Sequence, residues 1–157
     1  MNAKPETAIL FVCLGNICRS PLAEGVFRSV VADHGHAASF QVDSAGTGAW
    51  HVGEAPDPRS VSIAKRHGVD ISAQRARQVA AGDFSRFDLI LGMDRNNVET
   101  LRMRAPEAAQ GKIHLFLDYA GGGALDIPDP YYGGEEGFAS IYHMIREASE
   151  ALLAKLD

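Results

Sequence analysis

Cysteine is scarce in this sequence: Cys13 and Cys18 are the two in 157 residues. So few cysteines exclude a disulfide-stapled scaffold. The six histidines fall at no metal-ligand spacing with either of them, so no metal site is expected. No run of about 18 apolar residues occurs, which excludes a membrane-spanning helix. Positive charge does not predominate. Lys and Arg total 15 against 20 Asp and Glu, a net charge of −5, so a nucleic-acid partner is not expected. Internal repeats, low-complexity tracts and linker-like shifts in composition are absent as well. The polar start, Met1 to Thr7, precedes a short apolar run and lacks a basic segment and a cleavage site. No secretory leader is expected from it, and a reducing, cytoplasmic compartment is the expected location.

What is present suits one globular unit. Hydrophobic residues make up 46% and charged residues 22%. A chain of this length buries a core without disulfides or metals, so a single domain over residues 1–157 is expected.

Short apolar runs alternate with amphipathic stretches. Ala8 to Cys13 reads as a strand buried on both faces. Ser20-Pro21 reads as the N-cap and first position of a helix, with Leu22, Val26, Phe27, Val30 and Val31 on one face. A second strand is predicted at Phe40 to Ser44, ended by Ala45-Gly46-Thr47-Gly48. A helix is predicted from Asp57 to His67 with Gly68 as its stop. A third strand covers Phe87 to Gly92, and Asp94 caps the helix that ends near Arg104-Ala105-Pro106. Ile113 to Leu117 is predicted as the fourth strand, and Gly121 to Gly134 as a long loop. A final helix places Phe138, Ile141, Tyr142, Ile145, Ala148, Leu152 and Leu156 near one face. This alternation predicts an α/β fold, an open parallel four-stranded sheet with helices on both faces and right-handed crossovers. Ligands bind such sheets beyond the carboxyl ends of the strands, where Cys13 and the loop carrying Asp129 both fall.

The stretch Cys13-Leu14-Gly15-Asn16-Ile17-Cys18-Arg19-Ser20 joins the first strand to the first helix. A tight loop running into a helix N-terminus presents backbone N–H groups to an anion. Arg19 adds a planar, permanently charged fork that matches two phosphate oxygens. The same positive field favours a Cys13 thiolate, the form that attacks. Gly15 and Asn16 are residue types that tolerate the left-handed backbone such a cradle demands. Asp129, ahead of Pro130, is a candidate general acid and base, with Asp126 its rival; in a Gly-rich loop, turn chemistry alone also accounts for an aspartate before proline.

Val12-Cys13-Leu14-Gly15-Asn16-Ile17-Cys18-Arg19-Ser20-Pro21 resembles the signature of low-molecular-weight protein tyrosine phosphatases. Asp129-Pro130-Tyr131-Tyr132 resembles that family's second signature. Ser44-Ala45-Gly46-Thr47, Trp50, Asp57-Pro58-Arg59, Ala76-Arg77-Gln78 and Met93-Asp94 fit the same pattern, so the resemblance spans essentially the whole chain.

The resemblance implies a hydrolase of phosphotyrosine and aryl phosphates, with Cys13 as nucleophile, Arg19 as phosphate clamp and Asp129 as general acid. It implies that Leu14, Gly15, Asn16, Ile17, Cys18 and Ser20 surround the phosphate, and that Ser20 also supports the Cys13 thiolate. Asn16 and Ser44 would lock the loop. Trp50, Tyr131 and Tyr132 would wall a slot for the phenyl ring. Cys18 would be the redox partner of Cys13. The expected partners are a phosphotyrosine-bearing protein or an aryl phosphate, with inorganic phosphate as product and inhibitor. A monomer without cofactor or metal is expected.

Three other readings fit the loop less well. A phosphatase-like arsenate reductase needs cysteines far downstream, and none follows Cys18. A phosphocarrier of a sugar phosphotransferase system needs neither Arg19 nor Asp129. A non-catalytic phosphate-binding module does not account for Cys13, Arg19 and Asp129 occurring together.

Overall fold

The apolar run that opens the described chain becomes the central strand of the sheet. A computed structural model describes residues 6–121 and 125–156. Residues 1–5 of the polar start and residues 122–124 of the predicted Gly121–Gly134 loop lie outside the described residues. Strand β1 (Thr7–Cys13) pairs with β2 (Phe40–Gly46) on one side and β3 (Leu89–Gly92) on the other, and β3 pairs with β4 (Ile113–Leu115). All pairs are parallel and the order is β2-β1-β3-β4. Cys13 stands opposite Gly46, and Val12 opposite Gly92, so three strands end together at one edge.

Alternation along β1 divides the core. Ile9, Phe11 and Cys13 pack with α1 (Arg19–Asp33), α2 (Pro58–Arg66), α5 (Phe116–Ala120) and α6 (Glu135–Leu156). Ala8, Leu10 and Val12 pack on the other face with α3 (Asp83–Arg86) and with Val98 and Leu101 of α4 (Arg95–Arg104). Helices therefore cover both faces, as expected of a parallel sheet. The predicted apolar faces of α1 and α6 are the buried ones, except that Leu156 packs at the margin. Each fully buried large side chain contributes about 1.5–3 kcal/mol. Among the described residues, no helix is long and apolar enough to cross a membrane.

Several boundaries shift, each for a local reason. The fourth strand ends at Leu115 rather than Leu117. Phe116 starts α5 and sets its ring edge-on to Phe11, with centroids 5.1 Å apart. The third strand starts at Leu89, because the turn of α3 takes up the chain before it. Helix α1 begins at Arg19, with Cys18 at the N-cap. Ser20 is therefore not the cap, since its hydroxyl is committed to the loop described below. The caps at Asp57 and Asp94 stand: Asp57 accepts from Arg59 N, and Asp94 forms a capping box with Asn97.

Gly46 is where sheet and loop meet most closely. A Cβ there would lie 2.8 Å from Leu14 O and 3.1 Å from Gly15 C, backbone atoms that cannot swing away. Gly46→Ala should cost about 1–3 kcal/mol through overpacking. That is a fall in Tm of about 2–12 °C, accompanied by weaker binding of inorganic phosphate. Gly82→Ala, whose Cβ would meet nothing within 4 Å, is the control and should change neither. Calorimetry and phosphate titration check both; an unaffected Gly46→Ala would show that the loop is not braced by β2.

Candidate active site

Beyond the ends of β1, β2 and β3 lies a cleft of about 360 Å³. Cys13, Leu14, Gly15, Ile17, Cys18 and Arg19 form its floor, and Trp50, His51, Asp129, Tyr131 and Tyr132 its walls. The predicted residues thus converge, apart from Asn16, Ser20 and Ser44, which lie buried behind the floor.

The loop closes over Asn16, whose φ of 56° makes it the one non-glycine in the left-handed region among the described residues. Its amide is fully used. Nδ2 donates to Ser20 Oγ at 2.8 Å and to Ser44 Oγ at 3.0 Å, while Oδ1 accepts from Arg77 N at 3.0 Å. Gly15, expected to share the left-handed turn, does not. It makes room instead: a Cβ there would sit 3.0 Å from His51 Cδ2. The backbone N–H groups of Leu14 to Cys18 donate to no other protein group among the described residues, which leaves them as donors for an anion.

Polarity then runs in one direction. Ser20 Oγ accepts from Asn16, so its own proton can point at Cys13 Sγ, 3.0 Å away. Ser44 likewise accepts from Asn16 and donates to Glu24 Oε1 at 2.7 Å. Glu24 is 4% exposed and pairs with Arg28. Burial pushes its carboxyl above the ordinary range, against the pull of Ser44 and Arg28. At Cys18 burial first, then Asp57, Cys13 and Asp129, push the thiol far above the usual cysteine range. It keeps its proton.

Arg19 is 2% exposed, an uncommon position for a guanidinium. Burial opposes its charge, but Cys13, Asp94 and Asp129 outweigh burial and raise it above the ordinary value. Nη1 donates to Asp94 Oδ2 at 2.6 Å and to Ile127 O at 2.9 Å. Both Nη1 protons are thereby used, leaving Nε and Nη2 as a parallel pair for a two-point grip. Nη2 lies 3.7 Å from Asp129 Oδ2. Asp129 is 42% exposed over the cleft, and its Oδ1 accepts from Tyr131 N at 3.0 Å. The rival Asp126 is occupied elsewhere, accepting from Arg95 N and pairing with the Arg95 side chain.

Trp50 is 70% exposed and Tyr132 96%. The Trp50 ring lies against Gly48, where a Cβ would fall 1.9 Å from its Cζ3. Tyr131 meets Tyr132 edge-on, with centroids 5.0 Å apart.

Comparison with known proteins shows the family. The family model described as low molecular weight phosphotyrosine protein phosphatase matches residues 8–157. The chain belongs to that family. It is 46% identical over 150 residues to a low molecular weight protein-tyrosine-phosphatase of Streptomyces coelicolor, covering 93% of this chain and 91% of that one. It is 44% identical to the corresponding phosphatase of Schizosaccharomyces pombe, covering 94% and 96%. A crystal structure of a protein tyrosine phosphatase from Entamoeba histolytica, with Hepes in its active site, superposes with a TM-score of 0.91 at 39% identity, covering 96% and 97%.

Three members of this family site escape a reading of the sequence. His51 lines the cleft beside Tyr131, and its place directly after Trp50 was a usable signal. Asp94 looks like a helix cap and is one, yet its second oxygen holds Arg19. Glu24 lies within an otherwise apolar helix run, a placement that marks a buried carboxylate needing a partner. No group of three or more His, Cys, Asp or Glu able to hold a metal occurs among the described residues.

Proposed function

We propose that this phosphatase-family chain hydrolyses aryl phosphates, phosphotyrosine among them, through a phosphocysteine on Cys13. What supports this most is a single convergence. Ser20 Oγ lies 3.0 Å from Cys13 Sγ, a buried Arg19 keeps Nε and Nη2 clear of other hydrogen bonds, and Asp129 stands over the same cleft.

In the first step the Cys13 thiolate attacks phosphorus and the bond from phosphorus to the phenolic oxygen breaks. The Asp129 carboxyl gives its proton to that oxygen, so a neutral phenol leaves. In the second step the Asp129 carboxylate takes a proton from water. The resulting hydroxide attacks phosphorus, the S–P bond breaks, and inorganic phosphate and the thiolate are released. Arg19 and the amides of Leu14, Gly15, Asn16, Ile17 and Cys18 meet the charge on the transferring oxygens. Ser20 supports the thiolate while Asn16 and Ser44 hold the loop. Trp50, Tyr131 and Tyr132 flank the phenyl ring, which favours aryl over alkyl esters. Inorganic phosphate, as product, competes for the same amides.

The whole chain, 1–157, acts as one phosphatase domain. A monomer working without cofactor or metal belongs to this reading, since the two steps above call on neither. Both cysteines are free thiols, which fits a reducing, cytoplasmic setting. Cys18 acts as redox partner. Peroxide takes the Cys13 thiolate to a sulfenic acid, and the Cys18 sulfur then attacks that sulfur. The S–S bond forms, the S–O bond breaks, and the hydroxide leaves as water with the Cys18 proton.

Cys13→Ser should show no measurable release of phosphate from p-nitrophenyl phosphate, with chelator present throughout. Asp129→Ala should lose on the order of 10²–10⁴-fold in kcat on phenyl phosphate and distinctly less on p-nitrophenyl phosphate, whose leaving group needs the proton less. Turnover surviving Cys13→Ser, or equal losses on both esters in Asp129→Ala, would contradict the assignments. After mild peroxide, wild type should recover with dithiothreitol and show an intramolecular disulfide by mass, while Cys18→Ser should recover poorly. Equal recovery without a disulfide would remove Cys18 from that role.

A further inference from the structure

The loop carrying Asp129 is anchored on both sides of that residue. On the N-terminal side, Ile127 N donates to Met93 O at 2.8 Å, and Ile127 O accepts from Arg19. On the C-terminal side the anchor is Arg59, in the first turn of α2. Its Nη2 donates to Tyr131 O and its Nη1 to Gly133 O, both at 2.9 Å. Tyr131 and Tyr132 beside these bonds are exposed, and Pro130, between Asp129 and Tyr131, is buried and shares the task.

Arg59 is itself tightly fixed. Nε donates to Asp57 Oδ1 and Nη2 to Asp57 Oδ2, each at 3.0 Å. Its guanidinium carbon lies 4.5 Å from the centre of the Phe138 ring. Burial raises the Asp57 carboxyl, but the hydrogen bonds from Arg59 outweigh it and hold the carboxyl below its ordinary range, so the pair stays ionised. With Nε, Nη1 and Nη2 all engaged inside the protein, Arg59 is poorly suited to grip a ligand.

The same turn grips the phosphate loop. Asp57 N donates to Ile17 O at 2.8 Å, and Ser60 Oγ to Cys18 O at 3.2 Å. One rigid helical turn thus holds the loop of the nucleophile through Asp57 and Ser60, and the loop of the acid through Arg59. The last link is Tyr131 N, which donates to Asp129 Oδ1 at 3.0 Å.

From these contacts we infer that Arg59 is a positioning residue: through Tyr131 it sets the Asp129 carboxyl relative to Cys13. This rests on the reading of Asp129 as the acid. Misplacing a catalytic group by about 1 Å can cost on the order of 10²-fold in rate. The loss should fall on the step that uses the proton and should spare the binding of phosphate.

The test is a cycle of four proteins, wild type, Arg59→Gln, Asp129→Ala and the double variant, on phenyl and p-nitrophenyl phosphate. Arg59→Gln should lower kcat on phenyl phosphate by about 10- to 10²-fold, and much less on p-nitrophenyl phosphate. The inhibition constant of inorganic phosphate should stay within about twofold, because the phosphate loop keeps its own bonds to α2. In the Asp129→Ala background, Arg59→Gln should add nothing further. Equal losses on both esters, or a loss that persists without Asp129, would show a general structural role and overturn the inference. If Asp129→Ala itself shows no dependence on the leaving group, the acid assignment fails and the role of Arg59 fails with it. That result differs visibly from an Asp129 that behaves as the acid while Arg59→Gln acts independently. Should Arg59→Gln not fold, Arg59→Lys replaces it in the cycle. It keeps the charge beside Asp57 but reaches fewer acceptors, so a smaller loss with the same dependence on Asp129 is expected, and the same contrary results overturn the inference.

Discussion

The side-chain amide of Asn16 is the hinge on which the site depends. It sits in a left-handed backbone conformation that is costly for a residue with a Cβ, and it offsets that cost with three hydrogen bonds. Those bonds close the loop so that its amides remain free for an anion. Each serine hydroxyl that accepts from the amide keeps its own proton to donate onward. Ser44 donates to Glu24, and the Ser20 hydroxyl has Cys13 Sγ at 3.0 Å and Ala45 O at 3.5 Å within reach. The chemistry at sulfur is thus set by a side chain that does not line the cleft.

Charge is arranged around this frame with little slack. Arg19 is buried and would be costly alone. Asp94 on one side, with Asp129 and Cys13 on the other, make the buried guanidinium tenable. Asp94 and the Ile127 carbonyl each fix one Nη1 proton and so aim the remainder. Because Asp94 also caps α4, the aim of Arg19 is tied to the end of β3 as well as to α1. Three separate stretches of sequence meet at one guanidinium, which is why the site needs the whole sheet edge to be in place.

Much of this was legible in the sequence, and the exceptions are instructive. The apolar run Ala8 to Cys13 reads as a strand buried on both faces and is one, and the periodicity of α1 and α6 marks the sides they bury. The cysteine loop announced an anion site through Gly, Asn and Arg between strand and helix. Ser20 was misread as a cap because local patterns do not show tertiary competition: its hydroxyl is taken by Cys13 and Asn16. Leu117 was assigned to a strand because apolar runs carry no signal of where a sheet runs out of partners. Asp94 acts on Arg19, 75 residues away, which no local motif reveals, while His51 after Trp50 and Glu24 in an apolar helix run left only faint local marks. Arg59 belongs with Asp94, since its bonds to Tyr131 and Gly133 span more than seventy residues.

The account stands or falls on where the phosphoryl group goes. The direct measurement is a rapid quench into denaturant during turnover of p-nitrophenyl phosphate, using wild type and Asp129→Ala, followed by phosphorus NMR and peptide mass analysis. The account predicts a phosphoryl group on the peptide carrying Cys13, at a chemical shift proper to a phosphorus–sulfur bond, and more of it in Asp129→Ala, where water is activated poorly. A phosphoryl group on another residue, or phosphate released in full with no covalent species in either protein, would contradict it.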